Sequence, residues 1–581
     1  MTTILDSITH QDRHRTPGRT EQRRIRLGGI GVPLSVLLSL ILALSPTFAQ
    51  ETTDPAEGGD GRNTTEEAGT VRPPARPGTA ISAQETTDPA EALDGLRSAG
   101  TEAPQPVARA AAGDAPLLFA PRELPPGVLA RTDPAIVRFR PVEVDLDTLS
   151  RIEPGKPMRM TFNLFDDVSV PVSLENRGTR GPMQFSLFGR PEGFPQGSVY
   201  AVVENTVMVG SVNLPGRGYY RIRVWPGGIQ VVELVDPTAF PPCGVTQKHV
   251  IRAPAGQAAN APPKNDFPKW ETDGEPSSPQ GSSTIDVLVL YTPSARDAAG
   301  GRDAINALCQ LAVDQANGIY DNSGIIHNMR LVWRRSISYT ESGTHDTDLD
   351  RLTATNDGFL DLAHTYRDQV DADVVTLLIN DSSACGLGWV MGSVSNSFKT
   401  RAFNTVHWDC ADGPQWSMTH EIGHNQGCAH DRDNAGVDGV YSYSYGYRFR
   451  GNSGSTWRTI MAYSPGTRIE YFSNPNKTYD GKAAGIAVGQ TGEAYNARTI
   501  NNTGDTMAGF RSRSSLVWVD FSYFGLEAGT QLLPYNTLIE GVNNVAGLGT
   551  VRIRTGSSPE TISIIQPLTI DVSGGPVTIG N

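Results

Sequence analysis

His420, Glu421, His424 and His430 fall in the pattern H-E-x-x-H-x-x-G-x-x-H, and that spacing can hold a metal ion. Two histidines four apart lie on one face of an α-helix, about one turn from each other, so both imidazoles reach one ion. Glu421 sits beside them, a carboxylate able to take a proton from water that the ion activates. Gly427 is the natural end of the helix, because a residue without Cβ adopts the left-handed conformation at little cost. The chain then turns back and brings His430 in as a third ligand. Three protein ligands leave a fourth zinc position open, which is the catalytic rather than the structural arrangement.

This run resembles the motif of the metzincin zinc endopeptidases, which add a methionine turn downstream. Thr459-Ile460-Met461-Ala462-Tyr463 fits that turn, about thirty residues beyond His430. Asp431, directly after the third histidine, is similar to the adamalysin (reprolysin) branch, in a bacterial secreted form. The resemblance implies one zinc ion held by His420, His424 and His430, with Glu421 as general base. It also implies protein or peptide substrates. Met461 would form an apolar floor under the imidazoles rather than a ligand. Asp431 would anchor the segment around the third histidine. Tyr463 is a candidate oxyanion donor, although the adamalysin branch does not generally rely on one. Gln426 departs from the leucine common in the family. No cysteine-rich disintegrin-like region follows, so adhesion roles are not carried over.

Five cysteines are present: Cys243, Cys309, Cys385, Cys410 and Cys428. Pro241-Pro242-Cys243-Gly244-Val245-Thr246 is similar to the P-x-x-C-G-V-T stretch of adamalysin-like zymogens, the match covering Cys-Gly-Val-Thr. That likeness implies a latent enzyme whose open zinc position is taken by the Cys243 thiolate, a good zinc ligand. A buried free thiol or an intermolecular disulfide is the alternative. In an oxidising compartment the other four cysteines can form two disulfides, with three pairings open to the sequence. Cys385 with Cys410 and Cys309 with Cys428 are the pairings expected.

The elements that must position these residues belong to a multidomain chain of 581 residues. Arginines 23, 24 and 26 precede an apolar run over 34–44 and a small-residue site at Thr47-Phe48-Ala49. This predicts a signal peptide over 1–49, with a run too short to span a membrane comfortably. Residues 50–115 are rich in Pro, Gly, Ala, Thr and Glu and cannot bury enough surface to order themselves. AQETTDPAE recurs there at 49–57 and 83–91, and a small duplication in a spacer explains it better than a functional repeat.

Over 116–251, short runs of β-formers alternate with turns such as Pro215-Gly-Arg-Gly, predicting a compact antiparallel β-domain, read as an inhibitory prodomain. Residues 252–283 form a Pro/Gly/Ser-rich linker in which Arg252, Lys264 and Lys269 offer sites to an activating protease. The catalytic segment, 284–513, should be α/β (α+β). Apolar strands are expected at 285–291, 329–338, 374–379 and 403–408, with an edge strand at 388–391. Helices are expected over 302–321, 347–369, 414–426 for the active site, and 493–510. Residues 514–581 carry closely spaced short strands and look like the opening of a parallel β-helix.

A net charge of −13 argues against a nucleic-acid binder. No G-x-S-x-G elbow supports a serine hydrolase. His327, His345, His364 and His407 lack ligand spacing. Asp431, Asp433 and Asp438 are candidates for a calcium ion, without EF-hand spacing. The reading is a secreted, extracellular zinc endopeptidase with no stable membrane association after signal cleavage. The alternative is a catalytically weak surface- or glycan-binding protein using its C-terminal β segment.

Overall fold

The structure is a computed structural model that describes residues 115–125, 133–252 and 283–580, except positions 182, 525, 526, 528, 563, 565 and 566. The expected signal peptide, the spacer with its repeat as far as residue 114, and the linker from 253 to 282 with Lys264 and Lys269 lie outside the described residues. No described helix is long and apolar enough to cross a membrane.

The first described region is built of strands, with one short helix at Leu146–Leu149. Its strands are β1 (Phe119–Pro121), β2 (Ile136–Val144), β3 (Met158–Phe165), β4 (Val168–Gly181), β5 (Gln184–Pro191), β6 (Ser198–Glu204), β7 (Val207–Leu214), β8 (Gly218–Trp225) and β9 (Ile229–Val235). They form one antiparallel sheet in the order β1-β2-β9-β8-β7-β6-β5-β4-β3. Its two edges meet where the Leu118 amide donates to the Thr161 carbonyl at 3.0 Å, so the sheet closes on itself. Alternation of side chains along each strand gives this sheet two different buried faces. Val199, Ala201 and Val203 of β6 point into its own core with Tyr220 and Ile222 of β8. Tyr200 and Val202 point the other way, with Tyr219, into the core of the next region.

That next region opens with β10 (Val250–Ile251) and β11 (Thr284–Tyr291). It continues through α1 (Arg302–Ser323), β12 (Asn328–Ser336), α2 (His345–Thr353), α3 (Leu362–Gln369), β13 (Val374–Ile379), β14 (Gly386–Gly388), β15 (Val390–Met391), β16 (Phe403–His407), α4 (Ser417–Asn425) and α5 (Asn496–Met507). The sheet order is β12-β11-β13-β16-β14, parallel except for β14 at its edge. Residues 285–291 and all of β13 are buried, as a parallel sheet covered on both faces requires. The mixed α/β order is the one expected. The helical stretch expected over 347–369 is two helices, because residues 354–361 carry Asn356, Asp357 and Gly358 in irregular conformation. The last helix is shorter than 493–510 at both ends.

Beyond it, β17 (Leu516–Val519), β18 (Thr550–Ser558) and β19 (Thr569–Ile579) run parallel in that order, with α6 (Leu538–Asn544) packed over Val519 and Val551. Arg513 ties the start of this segment to Asp286 of β11 at 2.6 Å.

The outer face of the β region is joined to the α/β region by side chains from strands far apart in sequence. Arg221 meets Glu233 at 2.9 Å and Asp409 at 3.2 Å; Arg223 meets Asp412 at 2.5 Å; Arg334 meets Glu204 at 2.5 Å. Two tyrosines enter gaps left by glycines. A Cβ at Gly318 would lie 1.8 Å from the Tyr200 hydroxyl, and one at Gly413 would lie 1.8 Å from the Tyr219 hydroxyl.

Candidate active site

Helix α4 starts later than the pattern suggested. Trp416 holds a left-handed conformation (φ 48°), so the helix begins at Ser417 rather than near residue 414. It ends where expected: Gly427 has φ 86°, a conformation costly for any residue with a Cβ. The turn delivers Ala429–Asp431 as a short strand, and His430 faces back to the helix. The Nε2 atoms of His424 and His430 are 3.0 Å apart, and those of His420 and His430 3.2 Å apart. Each helix histidine uses its other nitrogen on a backbone carbonyl, His420 Nδ1 on Ile460 at 2.9 Å and His424 Nδ1 on Cys428 at 2.8 Å. A carbonyl only accepts, so Nδ1 carries the proton and the Nε2 lone pair is left free.

The Cys243 sulfur stands 3.7 Å from His424 Nε2. Cys243, His420, His424 and His430 put four ligand atoms within 4.8 Å of one another, the only such group among the described residues. Glu421 is fully buried beside them, and both of its carboxylate oxygens lack a hydrogen-bond partner. Its carboxylate lies against β14: a Cβ at Gly386 would meet it at 2.7 Å, and one at Gly388 at 3.3 Å. Met461 is buried under the helix, its sulfur 3.0 Å from where a Cβ of Gly423 would be. Asp431 accepts from the Tyr463 amide at 2.9 Å and from Asn434 at 3.0 Å, and pairs with Arg448 at 3.0 Å. The turn of Met461 is thereby fixed to the strand of His430. The Tyr463 ring lies 4.2 Å from that of His430, and its hydroxyl donates to the Cys243 carbonyl at 2.8 Å.

Residues 241–252 run along the sheet edge as a strap. Cys385 donates to the Pro242 carbonyl at 3.0 Å, and Gly244 to the Gly386 carbonyl at 2.9 Å. β10 then pairs in parallel with β15, and Gly392 donates to Ile251 at 2.8 Å. His249 bonds Asp346 of α2 at 2.9 Å. The sequence placed residues 250 and 251 with the β-domain; they pair instead with β15 of the next region, in a separate two-stranded sheet. A two-residue strand carries no periodicity by which to find it. Arg221 and Arg223 were also missed as contact residues. Their signal was two charges on one face of a strand otherwise built of Tyr, Ile and Val.

Burial governs the electrostatics. It pushes His424 down to about 4, and with the neighbouring imidazoles it holds His420 and His430 well below their ordinary value. It pushes Glu421 up to about 8. Burial first, and the Glu421 charge second, raise the Cys243 thiol far above its usual range. Three buried lone pairs converging with a sulfur repel one another unless a cation lies among them, and three nitrogens with one thiolate are a zinc donor set. The residues therefore fit zinc.

The calcium expectation is not supported. Asp431 is taken by Arg448, Asn434 and Tyr463; Asp433 is paired with Arg448; Asp438 accepts from Tyr445 at 3.1 Å. Cys385 and Cys410 are bonded as expected. Cys309 and Cys428 are not: both are buried free thiols. Gln426 and Cys428 neighbour Tyr320, at the far end of α1 from Cys309. Eleven helical residues are about 16 Å, well beyond disulfide reach. Gln426 itself is accommodated by the Tyr320 hydroxyl at 2.6 Å. His327 and His345 spend their rings on Asn501, Thr405 and Asp381, away from the site. His364 packs at a tilt against Phe403, and His407 lies against Trp408.

A profile of metallo-peptidase family M12 matches residues 281–473. The chain is 39% identical over 323 residues to a peptidyl-Asp metalloendopeptidase of Stenotrophomonas maltophilia (strain R551-3), covering 55% of this chain and 71% of that protein. It is 37% identical over 324 residues to a peptidyl-Asp metalloendopeptidase of Xanthomonas campestris pv. campestris, covering 55% and 70%. Among solved structures, metalloproteinase-II from Bacteroides fragilis aligns with 51% of this chain and 88% of its own, at 10% identity and a TM-score of 0.30, too low to support an argument.

Proposed function

Because this chain belongs to metallo-peptidase family M12 and is a zinc metalloendopeptidase, we propose that it cleaves proteins beside aspartate, from a centre held latent by Cys243. His420, His424 and His430 hold the zinc, and Glu421 is the general base. The observation that carries this reading is the convergence of three buried Nε2 atoms and one sulfur within 4.8 Å. The aspartate preference rests on the names of the relatives.

Zinc supplies Lewis acidity, lowering the pKa of water and polarising a carbonyl. The remaining work falls to the chain. Once the Cys243 thiol withdraws, Glu421 has no other hydrogen-bond partner among the described residues, so its carboxylate is free to accept the proton of the attacking water and return it to the leaving amine. The edge of β14 and β15 offers backbone groups to an extended substrate, the mode of strand addition that residues 241–252 now occupy. Met461 underlies the helix as an apolar floor. Tyr463, released from the Cys243 carbonyl, has a hydroxyl available to a substrate oxygen.

Latency follows from competition: the strap fills the substrate edge, and its thiol takes the position that water needs. Cleavage in the linker over 252–283 by an activating protease would free it. The expected signal peptide places this activation outside the cell. The parallel strands β17 to β19 support an appended β-helix-like module apart from the chemistry.

The test compares the full chain with Glu421→Ala and Cys243→Ser on casein, with and without a zinc chelator. Glu421→Ala should lose at least about 100-fold in rate while still binding zinc. Chelation should abolish cleavage, and Cys243→Ser should cut before any processing. Zinc binding with no cleavage by any form, even after the strap is removed, would defeat the proposal.

A further inference from the structure

A cavity of about 280 Å³ opens beside His420 and Cys243, walled by Tyr463, Gln415, Arg458 and Arg468. Both arginines lack a carboxylate partner among the described residues. Arg468 donates to the Gln415 carbonyl at 2.5 Å, to its side-chain oxygen at 3.2 Å and to the Ala462 carbonyl at 3.5 Å; its Nε is buried with no partner at all. Arg458 donates only to the Gly466 and Ala462 carbonyls, at 2.9 and 2.8 Å. Burial, with Arg458 beside it, presses Arg468 towards losing its charge against the support of Tyr463, Cys243 and Glu421, so a carboxylate brought into the cavity would favour the charged guanidinium. A buried unpaired charge is costly to fold around, and a wall of neutral oxygens repays little of that cost.

The covering strap does not supply the missing anion. The strap and the residues just before it turn Pro237, Thr238, Phe240 and Pro242 to the cavity, and the nearby Asp236 is engaged by the amide and hydroxyl of Thr238. Gln415 instead joins the two sides, donating to the Pro237 carbonyl at 2.6 Å while its oxygens receive Arg468. Withdrawal of the strap would release Gln415 and leave the guanidinium facing the cavity next to the catalytic carboxylate.

We propose that Arg468, backed by Arg458, is the specificity determinant that receives the side-chain carboxylate of an aspartate next to the scissile bond. This rests on the aspartate-selective endopeptidase reading above and names the residue responsible. A guanidinium takes a carboxylate through two parallel hydrogen bonds, and those bonds are lost on an amide of the same shape. The cavity is thus matched to an anionic side chain rather than merely to a small one.

The experiment uses the full chain incubated until its activity is constant. It measures kcat/KM on three peptides identical except for Asp, Asn or Glu at one position, each made with an amidated and with a free C-terminus. The wild type should favour Asp over Asn. Arg468→Gln should lower cleavage of the Asp peptide about 10- to 100-fold more than that of the Asn peptide, mostly through KM. If Arg468→Gln does not fold, Arg468→Lys replaces it and should shrink the Asp-to-Asn ratio by a smaller factor. An unchanged ratio in the folded variant overturns the assignment while leaving the aspartate reading intact. A wild type that cuts all three peptides alike overturns the aspartate reading, and the assignment with it. Cleavage only when the C-terminus is a free carboxylate would assign Arg468 to chain ends instead.

Discussion

The β region meets the α/β region in two places, and the two are built from different material. Along the strap, backbone bonds to β14 and β15 are joined by a few side-chain contacts at its surface and centre: the Cys243 thiol near His424, Tyr463 on the Cys243 carbonyl, Lys248 and His249 on Asp346, and Arg252 near Asp438. Across the outer face of β6 to β8, side chains do the joining: three arginine–carboxylate pairs and two tyrosines seated on glycines. Backbone pairing tolerates many sequences and is easily exchanged for a substrate strand. Buried ion pairs and close-fitted rings are specific and costly to break one-sidedly. Under the proposed latency, the difference implies a division of labour, in which the broad face holds the β region in position and the strap does the inhibiting.

Breaking the broad face should have the largest effect. Arg223→Ala leaves Asp412 buried without its partner, which costs about 3–5 kcal/mol. The uncleaved chain should then show activity and a lowered urea midpoint, although strap and thiol are untouched. An inactive, equally stable variant would mean that the strap suffices alone.

A subtler break exploits Gly318. Gly318→Ala drives a methyl into the Tyr200 hydroxyl and should weaken docking by about 1–3 kcal/mol. The same change lies inside α1, where alanine outperforms glycine by about 1 kcal/mol. Thermal unfolding should therefore show a less stable uncleaved chain and a more stable mature protease. A shift of the same sign in both would remove Gly318 from the contact.

The smallest effect concerns pH. Glu470 is buried at the contact, accepting from Ser198 at 2.6 Å and Asn213 at 2.8 Å, and burial raises its carboxyl from the ordinary 4.5. A carboxyl raised in the docked state favours docking while protonated. Its contribution is greatest below about pH 4.5 and declines as pH climbs through the raised value. Glu470→Gln keeps an acceptor oxygen for both donors and should flatten the resulting rise of uncleaved-chain activity with pH. A slope unaltered by the change would assign the dependence to other groups.

The readable parts of the sequence were those whose geometry is local. H-E-x-x-H fixes two imidazoles on one helix face, and Gly427 fixes the turn that returns His430. The strands of the α/β sheet announced themselves as continuous apolar runs, the mark of burial on both faces. Errors arose where distance in the chain had to be converted to distance in space. Cys309 and Cys428 lie in one region yet at opposite ends of α1. The aspartates after His430 have cation-like composition but are spent on Arg448, Asn434, Tyr463 and Tyr445. The start of α4 was misplaced because the left-handed Trp416 has no signature in a pattern of apolar positions.

Residue types and short spacings alone determined the proposed chemistry of this protein, three histidines and a carboxylate at the spacing of a zinc site, and the alternating regions of β and α/β structure. Helix and strand periodicities are short-range, so they survive being read one residue at a time. Tertiary structure alone decided which edge the strap covers, which tyrosine meets which glycine, and that Arg468 lines the cavity beside His420 and Cys243 with no ion-pair partner among the described residues. Those facts depend on how separately folded surfaces fit, and close packing resolves that fit at the scale of a single methyl group.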